Sequence, residues 1–216
     1  MGSPSLTYVV RQRITVARHV ERYSDWLTKD HIPALRKAIP ELAGVRHYKE
    51  EKDDLIRLTF YDFKDATRWT PATREATTRI REGWHAFAAD MRDLSAQPYA
   101  LIWSAGKRSS NDGARPLIVE RLTLVPEKED EWNRWSERMW TEELRDVPLA
   151  GVERYWALTG DPRFYLQIQV FEDDATMREK ITASEPKTRP QYWDGWASWM
   201  PYVENLGRYV FVPVPI

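Results

Sequence analysis

Two stretches of the chain alternate apolar and polar residues, and each stretch opens a similar series of elements. Tyr8–Val16 and Leu117–Val125 alternate with a period of two, which predicts strands. An amphipathic helix is predicted after each strand, because apolar residues then recur at helical spacing. These residues are Tyr23, Trp26, Leu27 and Leu35 in the first series, and Trp132, Trp135 and Met139 in the second.

Two more strands, a second helix and a closing strand complete each series. The strands predicted are Val45–Glu50, Ile56–Phe63 and Tyr99–Trp103, then Val152–Leu158, Phe164–Phe171 and Tyr209–Val212. The second helices are predicted from matching apolar positions: Trp84, Phe87, Ala88, Met91 and Leu94, then Trp196, Trp199, Met200, Val203 and Leu206. Gly44 and Gly151 are predicted to end the first helix of each series, as glycine does at a helix C-terminus.

Short sequence matches indicate that the two series are copies of one β-α-β-β-α-β unit. The matched segments are 12–16 with 120–124, 43–48 with 150–155, 65–67 with 174–176, and 83–84 with 195–196. They occur in the same order in both halves, as in a tandem duplication. The sequence therefore predicts a first repeat over residues 1–105, a Gly- and Ser-containing linker over 106–116, and a second repeat over 117–216.

Helices that cover one face of each sheet leave the other face open, and the twin unit is the natural cover. This predicts an α+β fold in which the two antiparallel sheets pair into one intramolecular barrel. We expect a moderately polar face inside the barrel, with Thr59, Tyr61, Gln167 and Gln169. We expect an apolar face under the helices, with Leu58, Phe60, Leu166 and Ile168.

Composition narrows the class of partner. Hydrophobic residues make up 42% of the 216 residues, so the chain can bury a core, and the formal net charge is −1. Without a basic patch we expect no nucleic-acid partner, and without a long apolar run no membrane partner. The chain has no cysteine, which suits a reducing cytoplasm and excludes thiolate metal sites. Its 11 tryptophans indicate an aromatic-lined pocket.

One segment resembles a known family. Trp26, His31 and Pro33, followed by Gly44 and Tyr48, are similar to the W-x4-H-x-P … G-x-x-x-x-Y signature of the dimeric α+β barrel superfamily, near the EthD-like proteins. The resemblance covers nearly the whole chain, as a tandem duplication. It implies ferredoxin-like repeats with a ligand between the sheet and the helices of a repeat. The superfamily includes cofactor-free monooxygenases, isomerases and haem enzymes, so it does not settle the reaction.

Two residues are candidates for catalysis. His31 lies near the apolar face of the first helix, where an imidazole could transfer a proton in a dry cavity. The alternative is a histidine that packs the helix turn before Pro33. Glu120 interrupts an apolar strand face, so burial is expected to raise its pKa toward the range of a general base. The alternative there is a hydrogen bond to a tryptophan or tyrosine from the helices.

Further residues are predicted to line a substrate pocket. They are Tyr23, Trp26, His47, Tyr48, Trp84 and His85 in the first repeat, and Trp135, Trp140, Tyr155 and Trp196 in the second. Trp140 occupies the position of His31 in the second repeat, which favours the first repeat as the working one. A purely structural aromatic core is the alternative.

The sequence predicts a cofactor-independent enzyme, of lyase or isomerase type, that acts on a small hydrophobic, aromatic compound. No metal-ligand spacing, phosphate loop or nucleophile triad is present in the sequence, so no cofactor and no metal are expected. Three alternatives stay open at this point: a cofactor-free anthrone-type monooxygenase, a non-enzymatic binding or stress-response barrel, and a haem protein. A homodimer is possible.

Overall fold

The computed structural model describes residues 6–63, 70–109, 114–146, 149–160, 163–183 and 190–216. The strands are β1 (Leu6–Ile14), β2 (Leu42–Glu50), β3 (Ile56–Phe63), β4 (Met91–Gly106), β5 (Leu117–Leu124), β6 (Leu149–Ala157), β7 (Tyr165–Phe171) and β8 (Val203–Pro213). The α-helices are α1 (His19–Trp26), α2 (Ile32–Ala38), α3 (Pro71–Gly83), α4 (Glu129–Asp146), α5 (Asp174–Ala183) and α6 (Pro190–Trp199).

The eight strands close into one antiparallel barrel. The first repeat contributes the order β4-β1-β3-β2 and the second contributes β8-β5-β7-β6. Pairing of β2 with β8 and of β4 with β6 joins the two sheets, so no sheet edge stays open. The predicted α+β barrel built from two ferredoxin-like repeats is confirmed. The repeat boundaries stay a prediction, and residues 110–113 of the linker and 65–67 of the third sequence match lie outside the described residues.

The faces of the third strand of each repeat are the reverse of the prediction. Leu58 and Phe60 on β3, like Leu166 and Ile168 on β7, belong to the apolar cluster inside the barrel. Tyr61 instead packs under the helices of the first repeat. The prediction was wrong because both faces of these strands are covered. All seven residues of β7 are buried, so the strand offers no polar–apolar alternation to follow.

Two glycines predicted to end helices lie within strands instead. α2 ends at Ala38 and β2 already begins at Leu42. The pairing of β2 with β3 shifts register between Leu42 and Gly44, and β6 shifts at the corresponding place, between Leu149 and Gly151. A bulge is a position that favours glycine. At Gly151 a Cβ atom would lie 2.0 Å from the Lys107 carbonyl oxygen, so only glycine lets the seam between β4 and β6 form here.

The closing strands begin earlier than predicted. Met91 and Leu94, placed on the second helix by their spacing, lie in β4, where Met91 pairs with Ile14 of β1. Val203 and Leu206 likewise lie in β8. In both repeats a short 3₁₀ turn, Trp84–Asp90 or Met200–Tyr202, ends the helix first. The spacing of these apolar residues suits a helix or a strand. Pairing of β4 with β1, and of β8 with β5, decides for the strand.

Among the described helices, none combines the length and the apolar character that crossing a bilayer requires.

Candidate functional site

His31 lies at the end of a π-helical turn, Leu27–His31, between α1 and α2. The sequence accounts for this turn, because Pro33 has no backbone N–H to give to the carbonyl four residues earlier. Wider turns of this kind are often found at functional sites. The turn directs the imidazole inward, and His31 is buried with 5% of its surface exposed.

Aromatic side chains enclose the imidazole of His31. The Trp26 ring stacks on it with centroids 4.5 Å apart, and Trp84 meets it edge-on at 5.9 Å. The Tyr61 hydroxyl lies 3.3 Å from His31 Nε2. Burial lowers the pKa of His31 to about 4, because the charged form loses its hydration. His31 is therefore neutral at physiological pH.

Gly83 lets the imidazole approach α3, since a Cβ atom at this position would lie 2.5 Å from His31 Nδ1 and Cε1. We expect Gly83→Ala to destabilise the protein by about 1–3 kcal/mol, as overpacking does, despite the better helix propensity of alanine. The measurement is the free energy of unfolding in urea. Gly195→Ala is the matched control, because its Cβ would lie 3.3 Å from the nearest Trp135 atom. A Gly83→Ala protein more stable than wild type would show that the ring moves aside freely.

A chain of buried polar groups lies beside His31. Gln12 Nε2 donates to the Tyr23 hydroxyl at 2.6 Å, and His47 Nδ1 lies 2.9 Å from Thr59 Oγ1. The Tyr23 and His47 rings are 5.8 Å apart. Burial, reinforced by the positive charge of Arg57, lowers the pKa of His47 to about 3. Trp26 and Trp84 contact His31 directly, and Tyr23 connects His47 to them, since its ring lies 5.9 Å from Trp26 and 6.1 Å from Trp84.

An apolar cleft of about 180 Å³ opens in the first repeat between β1, β4 and the end of α3. Three polar side chains reach it: Tyr8, Arg81 and His85. The apolar lining consists of Val10, Trp84, Ala88, Met91, Leu94 and Ala96. Burial raises the pKa of Tyr8 to about 12, and the positive charge of Arg81 opposes this shift, which places the guanidinium near the hydroxyl.

The cleft corrects the expected position of His31. We expected the imidazole to reach a cavity between sheet and helices, but His31 is not among the lining residues of the cleft. Trp84 lines the cleft and contacts His31 with its edge, so it stands between them. Of the predicted residues, only Trp84 and His85 line the cleft. Catalysis by His31 stays a prediction.

Sequence reasoning missed Tyr8 and Arg81. Tyr8 was visible as one of the alternating residues of β1, on the same face as Val10. Arg81 precedes His85 by four residues, the spacing that places two helical side chains on one face. Nothing in the sequence shows that these two elements meet, because 73 residues separate Tyr8 from Arg81.

Tyr48 and Tyr155, predicted for the pocket, lie inside the barrel on the other face of the sheets. Tyr155 donates to Glu153 Oε2 at 3.1 Å. Both tyrosines are fully buried, and desolvation raises the pKa of each hydroxyl. Tyr48 was expected beside His31, and it lies on the other face because its strand position has the opposite parity to that of His47. Tyr155 was expected in a pocket of the second repeat, and it likewise has the opposite parity to Arg154, which matches His47.

In the second repeat Glu120 is buried under the helices, with 4% of its surface exposed. Gln167 Nε2 donates to it at 3.1 Å and Arg208 Nε lies 3.7 Å away. Desolvation raises the pKa of Glu120, as expected. The hydrogen bonds come from Gln167 and Gln169 of β7, and Lys180 of α5 adds a positive charge that acts on Glu120 from a helix. A catalytic role for Glu120 stays a prediction.

A buried arginine replaces His47 in the second repeat. Gln167 Oε1 accepts from Arg154 Nε at 3.4 Å, so this amide links Arg154 to Glu120. The Arg154 guanidinium lies 4.7 Å from the centre of the Trp132 ring, and desolvation lowers the pKa of Arg154 to about 10. The predicted tryptophans of this repeat differ in their surroundings. Trp140 is fully buried, whereas Trp135, which meets Trp196 edge-on at 5.7 Å, lines an open surface pocket of about 540 Å³ with Trp199 and Tyr202.

Among the described residues, no group of three or more histidine and carboxylate side chains could hold a metal ion.

Comparisons with solved structures support the fold. The chain is similar to a provisionally named monooxygenase from Fusobacterium nucleatum (TM-score 0.67, 11% identity, covering 100% of this chain and 94% of that one). An anthrone oxidase-like protein gives a TM-score of 0.68 at 8% identity (98% and 92%). A haem-degrading enzyme from Listeria monocytogenes gives 0.51 at 11% identity (97% and 99%).

No family model matches the sequence, and no curated protein does. The neighbours are enzyme-like proteins of differing chemistry, and identities this low establish the fold alone. The chain has the fold of the dimeric α+β barrel proteins, with both halves of the barrel in one polypeptide.

Proposed function

We propose that the protein is an enzyme that acts on a small hydrophobic, aromatic compound by proton transfer, in the cleft of the first repeat. The observation that carries the proposal is the convergence of Tyr8, Arg81 and His85 on an otherwise apolar cleft between sheet and helix. Apolar walls with a few convergent polar groups are typical of small-molecule sites. The enzyme-like character of the structural neighbours supports the same class.

Arg81 and Tyr8 supply electrostatic stabilisation in this proposal. With its pKa raised to about 12, the Tyr8 hydroxyl keeps its proton at neutral pH and can donate it in a hydrogen bond. The nearby Arg81 guanidinium adds a positive charge and further donors. Together they would stabilise a phenolate or enolate oxygen as negative charge develops on it.

His85 is the proton acceptor in this proposal. It lines the cleft one helical turn after Arg81, and imidazole is the side chain best suited to proton transfer near neutral pH. His31 acts through other residues: it packs against Trp84 and lies 3.3 Å from the Tyr61 hydroxyl. We therefore assign His31 as a positioning residue that holds the Trp84 wall of the cleft.

Removal of a proton from carbon is common to the reactions under consideration. In a lyase or isomerase, the resulting carbanion, delocalised onto oxygen, expels a group or takes up a proton elsewhere. In a cofactor-free monooxygenase, the same carbanion reacts with molecular oxygen. The likeness to an anthrone oxidase-like protein favours this second candidate. Oxygen consumption by the protein with substrate would distinguish the two.

The described residues do not suit a haem. His85 is the histidine that reaches the cleft, but a cleft of about 180 Å³ is too small for a macrocycle of the size of haem. His31 is enclosed by Trp26, Trp84 and Tyr61, which leaves no open face for an iron ligand.

The test uses anthrone, a flat aromatic ketone with an acidic C–H bond, under nitrogen in deuterated buffer. We expect the wild-type protein to accelerate hydrogen–deuterium exchange at that carbon, measured by NMR. His85→Gln should lose at least about 100-fold of the acceleration, because it removes the proton acceptor. Arg81→Gln should lose about tenfold or more, since it removes one charged donor.

Arg79→Gln is the matched control, because Arg79 lies on the same helix, is exposed and pairs with Glu75. It should exchange at the wild-type rate. His31→Gln decides the roles of the two histidines. A positioning role predicts a changed KM with a smaller loss in kcat. If His31→Gln loses 100-fold while His85→Gln is normal, the proton acceptor is His31. Exchange at the buffer rate with wild-type protein would contradict the proposal.

A further inference from the structure

A second cavity, of about 80 Å³, lies inside the barrel between the two sheets. It is on the opposite face of β1 from the cleft, since Val9 and Arg11 alternate with Tyr8 and Val10. Most of its wall is apolar. The polar side chains in the wall are Arg11, Ser95, Tyr99, Arg121 and Tyr209. Arg11 and Arg121 are half-buried, so their guanidinium groups are partly removed from water and gain from a partner of opposite charge.

Arg11 is incompletely paired. Its Nη2 atom lies 3.7 Å from Glu50 Oε2, a distance too long for a hydrogen bond. Arg11 Nε and Glu50 Oε2 are both buried without a hydrogen-bond partner among the described residues. The guanidinium lies 4.7 Å from the centre of the Tyr209 ring. Arg11 therefore keeps an open donor beside the cavity.

Arg121 repeats this arrangement on the other sheet. Its guanidinium lies over the Phe164 ring and beside the Tyr99 hydroxyl. Both arginine–tyrosine contacts run between the repeats, since Arg11 of the first repeat meets Tyr209 of the second, and Arg121 of the second repeat meets Tyr99 of the first. No carboxylate among the described residues forms an ion pair with Arg121. The cavity thus has two cations and one loosely placed carboxylate at its edge, an excess of one positive charge.

A third arginine inside the barrel, Arg46, is fully paired with a carboxylate. Arg46 donates to Asp62 at 2.7 and 2.9 Å and also to Ser109. Its guanidinium lies 4.4 Å from the centre of the Phe60 ring, and Phe60 also lines the cavity. The buried Arg46 thus has a carboxylate bonded to its guanidinium, whereas the half-buried Arg11 and Arg121 have no carboxylate within hydrogen-bond distance among the described residues.

We propose that the cavity between the sheets binds a small monocarboxylate with an apolar body. Its carboxylate faces Arg11 and Arg121, whose planar groups match carboxylate geometry, and its apolar body lies against Leu58, Leu166 and Phe211. One negative charge balances the excess positive charge. The site is separate from the cleft and does not depend on the function proposed for it.

The test titrates butanoate into the full-length protein and follows backbone amide shifts by NMR. We expect saturable shifts at Val9 and Val119, with 1-butanol giving much weaker binding because it lacks the charge. Arg11→Gln and Arg121→Gln should each weaken butanoate binding about tenfold or more, as loss of a charged hydrogen bond does. Arg13→Gln is the matched control, since Arg13 lies two residues further on β1, is more exposed and pairs with Asp53. It should bind as wild type does.

Arg81→Gln separates this site from the cleft, because Arg81 belongs to the cleft and should not affect butanoate binding. Should Arg11→Gln fail to fold, Arg11→Lys keeps the charge and loses the planar geometry, and a fivefold or larger weakening is expected. Butanoate binding that depends on Arg81 and not on Arg11 or Arg121 overturns the proposal. Equal binding of butanoate and 1-butanol also overturns it.

Discussion

The free energy of unfolding is expected to fall by about 5 kcal/mol between pH 6.5 and pH 4, largely because of two buried histidines. The folded-state pKa values of His31 and His47 are lowered to about 4 and about 3, from an ordinary value of 6.5. Below pH 6.5 the two histidines therefore bind protons in the unfolded chain but stay neutral in the folded protein. Each histidine lowers the free energy of unfolding by up to about 1.4 kcal/mol for each pH unit below 6.5.

Stability falls toward low pH because the pKa values of both histidines are lowered in the folded protein. A histidine with a lowered folded pKa contributes its full stability above pH 6.5 and loses it as the pH falls toward its folded value. Glu120 acts in the opposite direction, because burial raises its pKa and protonation then relieves its desolvation. This reduces the net loss near the acid end. The free energy of unfolding of a native domain is about 5–15 kcal/mol, so a loss of this size should unfold the protein near pH 4 to 5.

Urea unfolding at several pH values between 7.5 and 4 measures how the free energy of unfolding changes with pH. The double variant His31→Gln/His47→Gln should be less stable than wild type at pH 7.5, yet its stability should change little with pH. A wild-type protein whose stability is flat down to pH 4 would show that the two imidazoles are not held neutral.

Glu153→Gln is expected to destabilise the barrel by about 3 kcal/mol or more. Glu153 is 1% exposed and accepts hydrogen bonds from Ser109 N at 3.0 Å, Ser109 Oγ at 2.8 Å and Tyr155 at 3.1 Å. Ser109 also accepts from Arg46 of the first repeat. The network therefore joins the two repeats through the segment between them. Glutamine keeps the shape but removes the charge that buried donors surround.

The matched control is Glu172→Gln, near the same segment. Glu172 is 44% exposed and pairs with Lys107 at 2.7 Å and Arg115 at 3.3 Å. Exposed pairs of this kind contribute about 0–1 kcal/mol, because water screens them. Guanidinium unfolding of both variants at one pH gives the comparison. Similar losses in the two variants would mean that the Glu153 network contributes no more than a surface ion pair.

Much of the fold follows from the sequence. The internal matches and the strand–helix order were sufficient to predict two repeats and a shared barrel, because each repeat alone leaves a sheet face without cover. The alternation in β1 and β5 also placed Gln12 and Glu120 correctly under the helices. In those strands a polar residue between apolar ones was a usable signal, and the structure buries both side chains.

Tertiary structure alone decided which face of β3 and β7 enters the barrel. Alternation marks a face only when water covers the other one, and here helices cover one face and the second sheet covers the other. Tyr61 and Gln167 therefore stand under helices although their neighbours are more apolar. For the same reason Tyr48 was grouped with His31, from which the sheet separates it.

Some residues of the candidate site could be predicted from the sequence, and others could be found only from the tertiary structure. Trp26, His31 and Trp84 were recognisable from helical spacing and from the resemblance, since they lie on elements with a clear period. The cleft depends on Tyr8 and Arg81 meeting across 73 residues, and the cavity depends on Arg11 and Arg121 meeting from different repeats. The sequence thus determined the elements and their buried residues, whereas contacts between distant elements, set by how helices and sheets pack, decided which polar groups face a common space.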